Sequence, residues 1–116
     1  MRQRLYSPSV RRALRELGRD IRIARKKRRM PVADFAVRMG VSQGTLLRLE
    51  KGDPGVAIGA VAMALLALGE LHRLGTIIDI STDDTGLMLD VGSLPQRIRR
   101  PKALILAREG IAEGNE

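Results

Sequence analysis

The chain has 116 residues and a formal net charge of +8, from 21 Lys and Arg against 13 Asp and Glu. This positive charge favours a polyanionic partner, with nucleic acid as the first candidate and an anionic membrane as the second. It contains no cysteine, which excludes disulfide frameworks, cysteine-bound zinc, iron–sulfur clusters and thiol catalysis. Its two aromatic residues, Tyr6 and Phe35, are too few for RNA-recognition modules or single-strand binders that stack bases on rows of aromatic side chains.

Most of the positive charge lies in the first 29 residues, which hold twelve basic and two acidic side chains. Residues 1–8 are predicted to form a flexible basic N-terminus, in which Ser7 and Pro8 supply a cap and a first-turn proline for a helix. Apolar residues then recur every three or four positions, which predicts one apolar face of a helix; they are Val10, Leu14, Leu17, Ile21 and Ala24. Basic residues recur with the same spacing on another face, and this pattern favours a negatively charged partner. They are Arg15, Arg19, Arg22, Lys26 and Arg29.

Residues 32–51 match the requirements of a helix-turn-helix, in which two helices pack at a steep angle through a short turn. Ala36 is small enough to let the second helix approach the first, and Gly40 supplies the positive φ that the turn needs. Val41 fills the turn, and Ser42 is placed to cap the second helix. The apolar residues expected to join the two helices are Phe35, Met39, Leu46 and Leu49.

Residues 54–69 carry no charge for sixteen positions, until Glu70 and Arg73 close the run. This run is shorter than the roughly 18–20 residues of a membrane-spanning helix, so a buried core helix is predicted instead. The basic N-terminus is followed by no apolar stretch of signal-peptide length. We therefore expect a soluble, cytoplasmic protein that is associated with the nucleoid if it binds DNA.

The stretch from Leu17 to Gly69 resembles the XRE family of phage Cro- and CI-like DNA-binding domains. The shared features are IR-x-AR in the first helix, the core A-x-x-x-GVS-x-x-T-hydrophobic-x-R-hydrophobic-E-x-G, and a leucine-rich helix that ends in LG. The resemblance implies an all-α fold, a five-helix lambda-repressor-like helix-turn-helix domain over residues 9–78. Residues 79–116 would then form a C-terminal tail that binds a partner or is flexible.

In this fold the second helix of the helix-turn-helix lies in the major groove, and its N-terminal residues reach base edges. The resemblance implies that the base-reading residues are Gln43, Gly44, Thr45, Leu47 and Arg48. A glutamine pairs with an adenine edge and an arginine with a guanine edge, whereas threonine and leucine pack on thymine methyl groups. Phosphate contacts are expected from Arg22, Arg25, Arg38, Ser42 and Lys51. The chain departs from the family at Pro31 and Val32, where a glutamine that clamps a phosphate is common.

A homodimer on a palindromic operator is expected, because one such unit covers only a few base pairs. The apolar residues predicted to form the dimer interface are Leu71, Leu74, Ile77, Ile78 and Ile80, although burial of the two leucines in the core is an equal alternative. Residues 77–80 are rich in β-branched side chains and predict a short strand that pairs with its symmetry mate. The residues 103–110 are predicted to form a short helix.

A second, narrower resemblance points to a protein partner. The sequence GDPGV-x-x-G at residues 52–59 and the pattern D-x-x-G-L-x-L … LP-x-R-hydrophobic-R at residues 83–99 are similar to HipB-type antitoxins. Such antitoxins are encoded beside a HipA-like serine/threonine kinase toxin, which the resemblance implies as a partner. The basic residues of the tail predicted to contact either the toxin or DNA are Arg97, Arg99, Arg100 and Lys102, with a mobile chain end as the alternative.

No catalytic set is evident in the sequence. His72 has no cysteine near it and no carboxylate four residues away to complete a metal pair, so we expect no enzyme activity, metal or cofactor. Three functions fit the pattern: a dimeric repressor that is also the antitoxin of a HipA-like kinase, a stand-alone XRE-type regulator, and an adaptor whose basic face binds RNA or ribosomes. In the adaptor, Gln43 and Arg48 would have no reason to read a groove.

Overall fold

The computed structural model describes residues 5–89, 92 and 94–100. These residues are helical where they are regular and contain no strand, which confirms the all-α fold. The helices are α1 (Pro8–Lys27), α2 (Val32–Met39), α3 (Gln43–Glu50), α4 (Ile58–Leu68) and α5 (Asp84–Leu87), with 3-10 helices at Leu71–Thr76 and Ile80–Thr82. The chain divides into two compact units, one reaching Asp79 and the other beginning at Ile80.

The long helix α1 begins and ends as its sequence suggests. The Ser7 hydroxyl oxygen accepts a hydrogen bond from the backbone N–H of Val10 at 3.1 Å, and Pro8 occupies the first helical turn. Basic residues fill the last turn, where they interact favourably with the negative end of the helix dipole. The buried face of α1 is narrow and consists of Gly18, Ile21 and Arg25. Val10 remains 44% exposed, so the first turns of α1 lie outside the core.

The helix-turn-helix is formed by α2 and α3. Gly40 has a φ of 72°, and the backbone N–H of Val41 reaches back to the carbonyl of Ala36 at 3.1 Å. This pairing closes α2 in the left-handed turn that glycine favours. Ser42 then caps α3 by accepting a hydrogen bond from the backbone N–H of Thr45 at 3.1 Å. The turn glycine and the cap that the sequence predicts are therefore confirmed.

The core lies where α2 packs against α3 and α4, while α1 packs across α3 and α4. Phe35, Met39 and Leu46 are fully buried, as their spacing predicts. The remaining buried apolar side chains are Ile21, Ala36, Leu49, Ala64 and Leu68. Since α4 supplies two of these buried residues, the uncharged run at 54–69 is in part a core helix. The core therefore packs against one side of α3, and the opposite side of α3 is exposed to solvent.

After α4 the chain turns at Gly69 and forms the 3-10 helix Leu71–Thr76, which packs on α4. Residues 77–80, where a strand is expected to pair with a second copy, form no strand within the single chain: Ile77 and Ile78 lie in a turn, and a 3-10 helix begins at Ile80. β-Branched side chains favour a strand only when another strand pairs with it, and the described residues provide none.

The second unit is described here only from Ile80 to Arg100, with gaps. Asp83 caps its short helix α5 by accepting a hydrogen bond from the backbone N–H of Gly86 at 3.0 Å. Residues 1–4, Lys102 and the predicted helix at 103–110 lie outside the described residues.

Candidate nucleic-acid interface

Helix α3 has two different faces. Its inner face is buried against the core and carries Leu46, Leu49 and Glu50. Its outer face is exposed and carries Gln43, Gly44, Leu47 and Arg48, with Thr45 half-buried between them. The five residues that sequence analysis assigns to base reading therefore lie together on the accessible side of one helix. A helix with one such face is of the right size to enter a DNA major groove.

The first turn of α3 is held by two hydrogen bonds between Ser42 and Thr45. Besides accepting from the backbone of Thr45, the Ser42 hydroxyl donates to the Thr45 hydroxyl oxygen at 3.1 Å. A Cβ at Gly44 would meet no atom closer than 3.8 Å, so packing within the chain does not require glycine there. Gly44 leaves the backbone of the helix bare beside Gln43 and suits close approach by a large partner.

The guanidinium of Arg48 lies between two neighbours. Its Nη2 donates to the Thr45 hydroxyl at 3.4 Å, and its Nη1 lies 3.8 Å from the Asp53 carboxylate. The Arg48 side chain remains 56% exposed, so it is available to a partner once these weak contacts are exchanged. Sequence analysis identifies Arg48 but misses Asp53, whose position five residues later is beyond the i+4 spacing used to pair charges on a helix.

Arg25 is part of the core and not of the interface. Its Nε donates to Glu50 at 2.7 Å, its Nη2 donates to the other carboxylate oxygen at 3.1 Å, and its Nη1 donates to the carbonyl of Met30 at 3.0 Å. The hydrogen bonds and charge of Glu50 raise the pKa of the Arg25 guanidinium, against the lowering effect of burial. This geometry corrects the expectation that Arg25 contacts a phosphate, because all three of its nitrogens are already bound.

Exposed basic side chains also lie on α1, on α2 and directly after α3. The remaining residues predicted to contact phosphate are exposed: Arg22, Arg38, Ser42 and Lys51. Pro31 occupies the cap position of α2 and gives no side-chain hydrogen bond, as its lack of a polar side chain dictates. The exposed basic residues of α1 also include Arg11, Arg12, Arg15, Arg19, Lys26 and Lys27, and the exposed Arg29 follows the helix. Exposed lysine and arginine side chains are the groups that proteins generally use to bind DNA phosphates without reading sequence.

The apolar residues expected at a dimer interface differ in exposure. Ile77 and Ile78 are 67% and 77% exposed, and Leu71 and Ile80 are exposed as well. Leu74 is half-buried and lines an open groove of about 560 Å³ between α1, α4 and the 3-10 helix that follows α4. Among the tail residues, Arg97 and Arg99 are exposed and Arg100 is half-buried.

Comparison with known proteins gives the same assignment as the geometry. A family model described as a helix-turn-helix domain matches residues 16–76, slightly more than half of the chain. The chain belongs to this helix-turn-helix family. The match supports the XRE-like resemblance and makes the protein a DNA-binding transcriptional regulator of a family that is typically non-enzymatic. No curated protein and no solved structure matches the chain significantly.

Within the described parts of this helix-turn-helix protein, no three His, Cys, Asp or Glu side chains are grouped closely enough to hold a metal ion. None of the helices in those same parts has the length and apolar character needed to span a membrane.

Proposed function

We propose that the chain is a sequence-specific repressor that binds a two-fold symmetric operator in duplex DNA as a homodimer. The observation that carries this proposal is the outer face of α3, where Gln43, Leu47 and Arg48 are exposed on a helix whose inner face is fixed to the core. In the major groove, Gln43 would bond N6 and N7 of adenine, and Arg48 would bond O6 and N7 of guanine.

The charges around this face suit the DNA backbone. Arg38 lies in the last turn of α2, just before the turn that leads into α3, and Lys51 follows the last residue of α3. Each is exposed and would neutralise a phosphate, which orients the protein without selecting a base. Arg22 on α1 is a third candidate for such a contact.

Dimer formation is the second part of the proposal. The exposed Leu71, Ile77 and Ile78 follow one another within eight residues and present apolar surface next to the groove at Leu74. Burial of such surface against a second copy would be favourable and would pair two reading helices. The helix-turn-helix proteins that bind as dimers contact half-sites about one helical turn apart.

Both sequence reading and dimer formation can be tested by selecting the duplexes that the full chain binds from a library of random DNA sequences. We expect enrichment of two related half-sites in inverted orientation, separated by about one helical turn. Ile77→Asp/Ile78→Asp should reduce the selected sequence to one half-site and lower the affinity. Enrichment of no sequence by the wild-type chain would contradict sequence reading, and an unchanged double site with the Asp variant would contradict this dimer surface.

We further propose that the repressor is the antitoxin of a HipA-like serine/threonine kinase. The similarity of residues 52–59 and 83–99 to HipB-type antitoxins supports this role. Exposed Arg97 and Arg99 are candidate contacts to the kinase. The alternative is a stand-alone regulator, and a cytoplasmic, nucleoid-associated location follows from either role.

Co-expression with the product of the adjacent gene tests the antitoxin role. We expect a kinase that arrests growth when expressed alone, with growth restored and a stable complex formed when this chain is also present. Arg97→Glu/Arg99→Glu should weaken the complex while DNA binding through α3 persists. The absence of a kinase gene beside this one, or continued growth arrest with the chain present, would favour the stand-alone regulator.

A further inference from the structure

Asp53 lies three residues after the end of α3, with its carboxylate 3.8 Å from the guanidinium of Arg48. We propose that Asp53 is a specificity-determining residue, which competes with DNA phosphates for Arg48 and is displaced more readily by a matching base than by a phosphate. The proposal rests on the proposed role of Arg48 as a base reader. It adds a carboxylate that sets how strongly Arg48 prefers a matching base over other DNA.

The carboxylate of Asp53 is held in place by the chain around it. The backbone N–H of Asp53 donates to the carbonyl of Arg48 at 3.0 Å, which joins the residue to the end of α3. One carboxylate oxygen of Asp53 accepts from the backbone N–H of Gly55 at 2.8 Å, leaving the other oxygen toward Arg48. The fixed φ of Pro54 limits this turn further. Asp53 is therefore a positioned acceptor and not a freely rotating surface charge.

Arg48 is restrained from its other side as well. Its Nη2 donates to the hydroxyl of Thr45, whose orientation is set by the hydroxyl of Ser42. The guanidinium thus lies along α3 between Thr45 and Asp53. In this position it is partly neutralised, and an approaching phosphate must displace a carboxylate that is already in contact.

The two kinds of DNA contact differ in how well they can displace Asp53. A phosphate also offers a guanidinium two oxygens, but it lies in solvent and in no fixed position relative to α3 when the DNA is unmatched, so its contact resembles the exposed ion pair that it would replace. A guanine edge offers two acceptors, O6 and N7, in the geometry that a guanidinium fits bidentately. Asp53 should therefore weaken binding to unmatched DNA more than binding to matched DNA, which raises specificity by penalising wrong partners.

Asp53→Asn tests this inference, because the amide oxygen retains an acceptor for Gly55 while the charge is lost. Asp20→Asn is the matched control: Asp20 also pairs with an exposed arginine, Arg19, at 3.7 Å, but it lies on α1, so its loss can change overall affinity and should leave the preference at each base position unchanged. For the full-length Asp53→Asn variant we expect affinity for duplexes without the selected sequence to rise about two- to fivefold. The slope of log affinity against log salt concentration for those duplexes should steepen by about one unit, because Arg48 would then contact a DNA phosphate. Affinity for the selected duplex should rise less, and preference at one base position should weaken.

A double-variant cycle separates the action of Asp53 on Arg48 from its charge alone. In an Arg48→Ala background, Asp53→Asn should have no more effect than Asp20→Asn. Equal gains for matched and unmatched duplexes, or the same response from both asparagine variants, would overturn the inference. If Asp53→Asn lowers the melting temperature, Asp53→Ser provides a second variant, because a serine hydroxyl also accepts within such turns. Failure of the wild-type chain to select any sequence would instead contradict the proposed function.

Discussion

The inner and outer faces of α3 each carry an arginine–carboxylate pair, but burial gives the two pairs different properties. On the inner face, Arg25 and Glu50 are 2.7 Å apart, with side chains only 7% and 4% exposed. On the outer face, Arg48 and Asp53 are 3.8 Å apart and 56% and 36% exposed. Water competes weakly for the first pair and strongly for the second. The same chemistry thus fixes the helix on one side and provides an exchangeable contact on the other.

This difference is the basis for distinguishing stability from DNA reading by mutation. Changes on the inner face should lower the free energy of unfolding, because they leave buried charge or disturb helix packing. Changes on the outer face should alter affinity for DNA while the free energy of unfolding stays nearly constant.

The largest effect is expected from Glu50→Leu, which leaves the guanidinium of Arg25 buried without its carboxylate. The free energy of unfolding should fall by about 3–5 kcal/mol, as measured by urea unfolding followed by circular dichroism. Arg25→Met/Glu50→Leu is the control, because replacing both partners by apolar groups should recover most of this loss. A single variant within about 1 kcal/mol of the wild type would show that the pair is not the inner anchor of α3.

Gly18→Ala should have the next largest effect. At Gly18 a Cβ would lie 2.6 Å from the backbone carbonyl oxygen of Glu50, so α1 would have to move away from α3. We expect a loss of about 2–3 kcal/mol in the free energy of unfolding, the cost of overpacking against backbone that cannot rotate away. Gly59→Ala in α4 meets nothing within 4 Å and should instead stabilise by about 0.5 kcal/mol. Equal responses at the two glycines would contradict close packing of α1 on α3.

On the outer face, Gln43→Ala should lower affinity for the selected duplex by about 1–3 kcal/mol and relax preference at one base position. The reason is loss of a bidentate contact to a base edge. Fluorescence anisotropy with the selected duplex and with a scrambled duplex of the same composition measures both effects. If the variant weakens binding to the two duplexes equally, Gln43 does not read sequence.

The smallest effect is expected from Arg22→Ala, which should weaken binding to all duplexes and flatten the salt dependence by about one unit. Arg28→Ala is the matched control, since the guanidinium of Arg28 is already bonded to the carbonyl of Ala24 at 3.0 Å and lies 4.0 Å from Glu70. An unchanged slope for Arg22→Ala, measured over a series of salt concentrations, would mean that Arg22 contacts no phosphate.

The helix-turn-helix could be predicted from the sequence because its determinants are local. Phe35 and Met39 are one helical turn apart, as are Leu46 and Leu49, and a glycine stands where the turn requires positive φ. These features need no knowledge of the rest of the chain. The outer face of α3 follows from the same periodicity, because its residues are those left after the buried positions are assigned.

The buried ion pair could not be predicted in the same way. Arg25 opens a run of five basic residues, which is typical of a solvated face, although its position four residues after Ile21 places it on the buried side. Its partner Glu50 is 25 residues away, and acidic residues much closer in sequence are equally plausible from spacing alone. The turn at Ile77 and Ile78 could not be predicted either, because β-branched side chains form a strand only where another strand is present to pair with it.

The most direct test of sequence reading by the outer face of α3 is an NMR titration of the full chain with its selected duplex of about 20 base pairs. We expect the largest shifts at the Gln43 side-chain amide, the backbone amide of Gly44 and the Nε–H of Arg48, with Leu46 and Leu49 changing little. Large shifts confined to other parts of the chain, with the Gln43 and Arg48 side-chain signals unmoved, would contradict the assignment of this face as the DNA reader.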